Sequence, residues 1–177
     1  MITITEGLAE IKTIQARLDK RQEAVLRFLA RDARLRDPLE SEGGSIEFVR
    51  RERQAIGDLE ERIVNIRTAI QAVNLATQLS VNNRTATVSE WLNWRRDVSG
   101  RHGNFLNTMN QTIAQARQKA AQQGARLTDQ DANTKPGDFI IAVSERELAE
   151  AIEEQEIVLG ELDGKLSLLN ATTTINV

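Results

Sequence analysis

The sequence predicts an all-α protein, a long antiparallel helical hairpin or bundle with coiled-coil-like packing and small β additions. Hydrophobic residues make up 40% of the 177 residues but aromatic residues only 3%, so the core has to be aliphatic, as in long helices packed side by side. Apolar residues also recur at every seventh position over long stretches, which indicates packed helices. Because the chain has the length of one folding unit, we expect a single helical domain over residues 1–177.

The first helix is predicted from Thr3 or Thr5 to about Leu35. Charged residues occupy the positions between its apolar ones, which gives a long helix one apolar face. The segment 36–44 contains Pro38 and a glycine pair, so it breaks the helical pattern and predicts a chain reversal. The apolar residues at sevenfold spacing are Ile4, Ile11, Leu18 and Val25.

Ser45 is the predicted N-cap of the second helix, because its side-chain oxygen can accept a hydrogen bond from an amide of the first turn. Two sevenfold apolar series behind it give the a and d positions of a coiled coil. The first two helices are similar in length and joined by a short loop, so they should form a long hairpin over residues 3–77. The two series are Val49, Ile56, Ile63 and Ile70, and Leu59, Ile66 and Val73.

The apolar pattern changes after this hairpin. Apolar and polar residues alternate around the pair Asn82-Asn83, which tolerates left-handed backbone geometry, and this predicts a β-turn over residues 79–87. The run Thr87-Val88-Ser89-Glu90 fits a capping box that opens a third helix. Gly100 and Gly103 interrupt that helix, so a broken helix is predicted over residues 88–123, with either a kink or a break between two pieces.

The C-terminal third alternates between polar and apolar segments. Residues 124–137 form a polar insert without a period, and residues 138–143 form a short apolar strand. A second capping-box match, Ser144 to Glu147, opens a helix predicted over residues 145–170. The remaining residues, 171–177, are β-prone and predict an extended tail.

The residue inventory argues against a catalytic or metal site. Cysteine is absent, which excludes disulfides, thiolate metal sites and cysteine nucleophiles. The one histidine, His102, lies between Gly100 and Gly103 in a predicted bend, where a solvated side chain is the expected state and a ligand or base the alternative. The run Asp129–Asn133 begins like a calcium-binding loop, but the required glycine and bidentate glutamate are missing. We therefore predict a non-enzymatic protein without cofactor or metal.

The charge pattern restricts the partners. A formal net charge of -3 argues against whole-surface binding to nucleic acid. The basic clusters 50–53 and 95–96 lie among acids and favour solubility, and the acid-rich run 147–161 is expected to be a solvated helix face. The first thirty residues hold no apolar run of signal-peptide or membrane-spanning length, so we expect a cytoplasmic protein without a membrane anchor.

Two tryptophans stand out in a chain with few aromatic residues. Trp91 and Trp94 are three positions apart and therefore lie on neighbouring faces of one helix. One interpretation is core packing, and the other is an anchor for a partner protein beside Arg95 and Arg96, since Trp and Arg are enriched in interface hot spots.

Two β-prone segments are further candidates for contacts with a partner. The segment with Phe139 and Ile141 and the tail with Ile175 and Val177 could each add to the sheet edge of a neighbouring subunit. Such strand addition is a recurrent way of locking subunits together.

A family resemblance covers about residues 66–97. The run Ile66 to Leu79, the turn Asn83-Arg84-Thr85 and the run Val88 to Asp97, with Arg95-Arg96-Asp97 at its end, resemble the septicolysin-like proteins, small helical proteins of bacteria and phages. The resemblance implies a helical fold and no catalytic residue. The polar insert and the threonine-rich tail depart from the pattern of that family.

These observations predict a non-enzymatic structural or assembly component of a larger particle. In its most specific form the prediction is a bacteriophage virion protein, a capsid or tail accessory subunit assembled in the host cytoplasm, with a homo-oligomer and other virion proteins as partners and no small-molecule substrate. The alternative is a free cytosolic helical binding module, or a toxin-like protein that acts on a host target.

Overall fold

The computed structural model describes residues 1–129 and 134–177. It is mostly α-helical with small two-stranded sheets, which confirms the predicted fold class. The chain forms two compact units, unit one with Met1–Ala76 and Ser167–Val177, and unit two with Thr77–Leu166. The expectation of a single domain stays a prediction, because a compact unit of this size can be either a part of one domain or a domain of its own.

Unit one is built on the predicted hairpin of α1 (Ile4–Phe28) and α2 (Gly44–Ala76). A capping box opens α1, in which the Thr3 hydroxyl accepts from the Glu6 N–H at 3.2 Å and the Glu6 carboxylate accepts from the Thr3 N–H at 2.7 Å. The helices run antiparallel, because the ring of Phe28 at the end of α1 meets Phe48 near the start of α2 edge-on at 5.3 Å.

The prediction that the first helix continues to Leu35 is wrong, since α1 ends at Phe28. Beyond that point the apolar side chains bury little surface, since Leu29 and Leu35 are 60% and 66% exposed. Most of the stability of a helix in a protein comes from packing one apolar face, and the opposing helix begins only at Gly44.

The prediction that Ser45 is an N-cap is also wrong, because α2 already begins at Gly44. Ser45 instead donates both its hydroxyl, at 2.6 Å, and its N–H, at 2.9 Å, to the carboxylate of Asp37. These bonds and one from the Leu39 N–H lower the pKa of Asp37 from 3.8 to about 2. Gly43, with a φ of +96°, provides the left-handed residue at this reversal.

Buried aliphatic side chains at sevenfold spacing form the core of unit one. Gly7 lets the helices approach, because a Cβ there would lie 3.1 Å from Ile66 Cγ2 and 3.3 Å from Ile175 Cδ1. The buried core residues are Ile4, Ile11, Ile14, Leu18, Ile66 and Ile175.

The C-terminal tail forms a strand with the N-terminus of its own chain. Strand β1 (Ile2–Thr3) pairs antiparallel with β6 (Thr174–Ile175). Helix α5 (Glu145–Thr172) runs two residues further than predicted, so the extended part of the tail is shorter than residues 171–177.

Unit two opens with the hairpin of β2 (Gln78–Val81) and β3 (Arg84–Thr87). Asn82 and Asn83 have φ angles of 44° and 62°, which confirms the predicted left-handed turn. The predicted capping box of Thr87 and Glu90 is confirmed as well.

The helix after this hairpin is not broken. It consists of α3 (Val88–Trp94), a π-helical segment (Arg95–Ser99) and α4 (Gly100–Gln122) in one continuous run. Of the two predicted alternatives, the break is wrong because the helix continues without a gap, and the irregularity is the wider turn of the π segment. One hydrogen bond supports this turn, in which Gln155 Nε2 donates to the Ser99 carbonyl at 2.6 Å. A Cβ at Gly103 would lie 3.0 Å from that nitrogen, so this glycine leaves room for the amide. The adjacent His102 is exposed on α4 and does not lie in a bend.

A Schellman motif ends α4. Gly124 has a φ of +63°, its N–H donates to Ala121 O at 3.2 Å, and the Ala125 N–H donates to Ala120 O at 2.9 Å. The chain then forms β4 (Leu127–Thr128), which pairs parallel with β5 (Phe139–Ile140) before α5 begins.

Two further boundaries differ from the predictions. The polar insert 124–137 was expected to be irregular throughout, but it contains β4. The predicted strand 138–143 is reduced to the two residues of β5, because only these are paired. Most of the calcium-like run 129–133 lies outside the described residues.

Candidate interaction surface

The strongest candidate site is an apolar groove in unit two, with a volume of about 450 Å³, between α4 and the chain that contains β5. Phe105 and Ile140 lie in its two walls and are 60% and 51% exposed. The α4 wall consists of Phe105, Thr108, Met109, Thr112, Ile113 and Ala116, and the opposite wall of Ile140, Ile141, Ala142 and Val143.

The two threonines of the α4 wall add no free hydroxyl donor to the groove. Thr108 Oγ1 donates to Asn104 O and Thr112 Oγ1 donates to Thr108 O, both at 2.8 Å within the helix. Because each hydroxyl proton is bound to the helix backbone, the wall is more apolar than its sequence indicates.

The groove has a packed floor. Leu106, Ile113 and Leu148 are 6%, 6% and 3% exposed and form one buried cluster. Ile141 and Val143 pack against this cluster from the opposite wall. The walls therefore rest on a core, so the groove is formed before any partner binds.

Strand β5 presents a free main-chain edge at Ile140. The N–H groups of Phe139 and Ile141 donate to Arg126 O and Thr128 O, at 2.8 and 2.9 Å. Main-chain groups alternate in direction along a strand, so the N–H and C=O of Ile140 point away from β4. Among the residues described, none forms a hydrogen bond with these two groups.

Asp138 fixes the turn that leads into β5. Its carboxylate accepts the N–H of Lys135 at 2.9 Å and that of Arg126 at 3.2 Å. These two bonds lower the pKa of Asp138, with the bond from Lys135 contributing most. The carboxylate of Asp138 thus links the residue before β4 to the turn before β5.

Two carboxylates without an ion pair lie beside the chain that contains β5. Residues 140–144 also border a shallow depression that Asp129 and Glu147 line. Neither carboxylate forms an ion pair with the residues that the structure describes.

The structure places Trp91 in the core of unit two. This side chain is 3% exposed, and its indole N–H donates to Leu79 O at 2.9 Å. Trp94 is half-buried and meets Trp91 edge-to-face at 5.7 Å, while the guanidinium of Arg84 lies 5.3 Å from the Trp91 ring. These contacts correspond to the core-packing interpretation of the pair.

The neighbouring arginines also have partners in the chain. Arg95 forms an ion pair with Asp163 of α5 at 2.9 Å, and Arg96 forms one with Asp97 at 2.9 Å. The pair with Asp97 raises the pKa of Arg96. Both guanidinium groups are therefore paired with carboxylates of the same chain.

The four β-prone candidates fall into different surroundings. Phe139 is half-buried in β5, and Ile141 lies in the groove wall. Ile175, in unit one, is 3% exposed within the core, and Val177 is 38% exposed. The strand partner of Ile175 is Ile2 of the same chain, which accounts for the order of the tail without a neighbouring subunit.

Phe105 was not among the contact residues predicted from the sequence. The signal was a second stripe on α4, with Phe105, Met109, Thr112 and Ala116 at spacings of four, three and four. This stripe lies beside the buried series Leu106, Ile113 and Ala120.

Within residues 1–129 and 134–177, no helix has both the length and the apolar character needed to cross a membrane. In the same ranges, no three His, Cys, Asp or Glu side chains come together as a metal site would require. No family model, no curated protein and no solved structure matches the chain. The resemblance of residues 66–97 to the septicolysin-like proteins stays a prediction.

Proposed function

We propose that this chain is a non-enzymatic structural or assembly subunit that binds other protein subunits through the groove between α4 and β5. The observation that carries the proposal is the exposure of Phe105 and Ile140 in the walls of a preformed groove above a packed core. Exposed apolar side chains that line a groove are a common feature of protein interaction sites.

The hairpin of unit one supports an architectural role. Helix α2 has 33 residues and therefore a length of about 50 Å. Ion pairs link it to α1, with Arg62 bound to Glu10 through two hydrogen bonds of 2.8 and 3.1 Å and Arg21 paired with Glu52. A long helical hairpin whose two helices are joined by ion pairs is suited to the role of a spacer or scaffold.

The shifted carboxyl groups of the described chain have structural explanations. Thr3 lowers the pKa of Glu6, Arg62 that of Glu10, and Lys165, followed by the Asn82 N–H, that of Glu161. Shifts produced by helix caps, ion pairs and turn bonds are those of a scaffold, whereas catalytic groups have pKa values matched to a reaction.

The particle in the proposal is a bacteriophage virion. This part is supported by the resemblance of residues 66–97 to small helical proteins of bacteria and phages. In this proposal the partners are further copies of the chain or other virion proteins.

Particle incorporation tests the proposal. An epitope-tagged copy of the gene would be expressed from its own locus during particle production, and purified particles would be analysed by quantitative mass spectrometry. We expect the wild-type chain in the particles and a several-fold lower content of Phe105→Ser. Val64→Ser is the matched control, because Val64 is also 60% exposed but lies on α2. Circular dichroism should show equal helicity for all three chains.

The result that contradicts the proposal is a chain that stays in the low-mass soluble fraction and is absent from particles. That outcome would favour the alternative, a free helical binding module or toxin-like protein acting on a host target. Equal incorporation of Phe105→Ser and Val64→Ser would remove the groove from the proposal.

A further inference from the structure

We infer that the groove in unit two binds an extended, apolar and basic segment of a partner protein, which adds to β5 as a third strand at Ile140. The inference rests on the proposed function, because it names the chemistry of the partner. Three features of the groove carry it, namely a free strand edge, its size and the sign of the neighbouring charges.

The free edge selects an extended backbone. The N–H and C=O of Ile140 point away from β4 and have no partner among the described residues. A partner strand can accept the first group and donate to the second, whereas a helix has no main-chain groups free along its sides. Alternate side chains of such a strand would enter the groove against Phe105 and Met109.

The size favours a short segment over a second copy of the chain. The groove has about 450 Å³, within the range of roughly 300–1,000 Å³ found for ligand pockets. Stable contacts between folded proteins bury about 1,200 Å² or more in total. A two-residue strand and two exposed side chains, Phe105 and Ile140, offer much less surface than that.

The charges favour a basic segment. Asp129 and Glu147 border residues 140–144 and form no ion pair with residues of the described chain. Lys or Arg side chains on the outward-facing positions of an added strand would meet these carboxylates, whereas acidic ones would be repelled. A second copy would bring the same acids to the interface.

Peptide binding to the full chain tests the inference. The probe is a capped seven-residue peptide that alternates valine with lysine, and binding is followed by amide and methyl NMR shifts of the labelled protein. We expect the largest shifts at Ile140 and Phe105. A peptide with glutamate in place of lysine should bind about two- to thirtyfold more weakly, because two exposed ion pairs are lost. A peptide N-methylated along one edge should bind about two- to tenfold more weakly, because its donors are lost.

A pair of variants at one position isolates the main-chain contact. Ile140→Pro removes the outward N–H but leaves the bonds of Phe139 and Ile141 to β4 intact. Ile140→Ala shortens the side chain and retains the N–H. We expect the proline variant to bind the valine–lysine peptide about two- to tenfold more weakly than the alanine variant, because one hydrogen bond is lost. Unchanged shifts of Phe139 and Ile141 in the free proline variant would confirm that β5 is intact.

Several outcomes overturn the inference. These are equal affinity for the lysine and glutamate peptides, equal affinity of the Ile140→Pro and Ile140→Ala variants, and shifts that map outside the groove. Concentration-dependent dimerisation that Ile140→Pro abolishes would assign the edge to a second copy. If Phe105→Ser is lost from particles while none of the peptides binds, the proposed function stands and the strand-addition inference fails. If the peptides bind but the chain is absent from particles, the strand-addition inference stands and the proposed function fails.

Discussion

Replacing Ile175 by alanine tests whether the tail is packed as the structure shows. The side chain is 3% exposed and lies in one core with Ile4 and Ile66. Truncation removes three buried carbons and leaves a cavity, and such Ile-to-Ala changes cost about 2–5 kcal/mol. Because β6 has only two residues and can partly collapse into the space, we expect about 2–3 kcal/mol.

Urea unfolding of the full chain, followed by far-UV circular dichroism, measures this loss. With a slope of about 2 kcal/mol per molar urea, the midpoint should fall by about 1–1.5 M. Circular dichroism is the suitable readout because Trp91 and Trp94 both lie in unit two, whereas Ile175 lies in unit one. Val177→Ala is the control, since Val177 is 38% exposed and surface changes stay within about 0.5 kcal/mol.

A midpoint change for Ile175→Ala no larger than that of Val177→Ala would refute the reasoning. It would mean that β6 is detached from β1 in solution and that the tail is available to a neighbouring subunit. The sequence-based expectation of strand addition by the tail would then return in place of the pairing within the chain.

Two further predictions follow from single hydrogen-bonded groups. Gln155→Ala leaves the carbonyl of the 5%-exposed Ser99 without its partner, which should cost about 1–3 kcal/mol. Tryptophan fluorescence in urea checks this, with the exposed Glu156→Ala as control, and equal midpoints for the two variants would contradict it. Asp37→Asn should destabilise the chain at neutral pH. The folded pKa of Asp37 is depressed from 3.8 to about 2, so the stabilising charge is present above about pH 4 and is lost as the pH falls towards 2. The difference from wild type should shrink over that window, and a constant difference would contradict the assignment.

The long hairpin could be predicted from the sequence because its signal is local and periodic. Ile4, Ile11 and Leu18 recur every seven residues, and all three are buried. The end of α1 could not be predicted in this way. Leu29 and Leu35 continue an apolar pattern, but the helix persists only where the other helix offers a surface to cover that pattern.

The capping of α2 shows the same limit. Ser45 is a favoured N-cap residue type, and the rule that selects it considers only the next three positions. In the structure its hydroxyl donates to Asp37, eight positions earlier. A carboxylate that reaches across a reversal is visible only once the glycine geometry of the loop is known, here at Gly43 and Gly44.

The groove could be predicted only in part. Ile141 was a candidate because its segment is apolar and β-prone, and it does line the groove. Strand β4 was missed because two residues, Leu127 and Thr128, are too few to show a period inside a polar insert. Without knowledge of β4, it could not be predicted that the N–H and C=O of Ile140 are the main-chain groups left unpaired.

The π segment links the fold of unit two to the groove. At 100° per residue, an uninterrupted α-helix would place Val88, Leu106 and Ile113 on nearly one face. The wider turn of the π segment takes up one extra residue and rotates α4 by about 100° relative to α3. The buried side of α3 can thus face the β2–β3 hairpin, where the Trp91 indole binds Leu79 O, while the Leu106 stripe faces Leu148 of α5. Phe105 lies one position before that stripe and lines the groove because of this rotation. The hydrogen bond from Gln155 to the Ser99 carbonyl, which supports the π segment, therefore also determines which side of α4 forms the proposed binding surface.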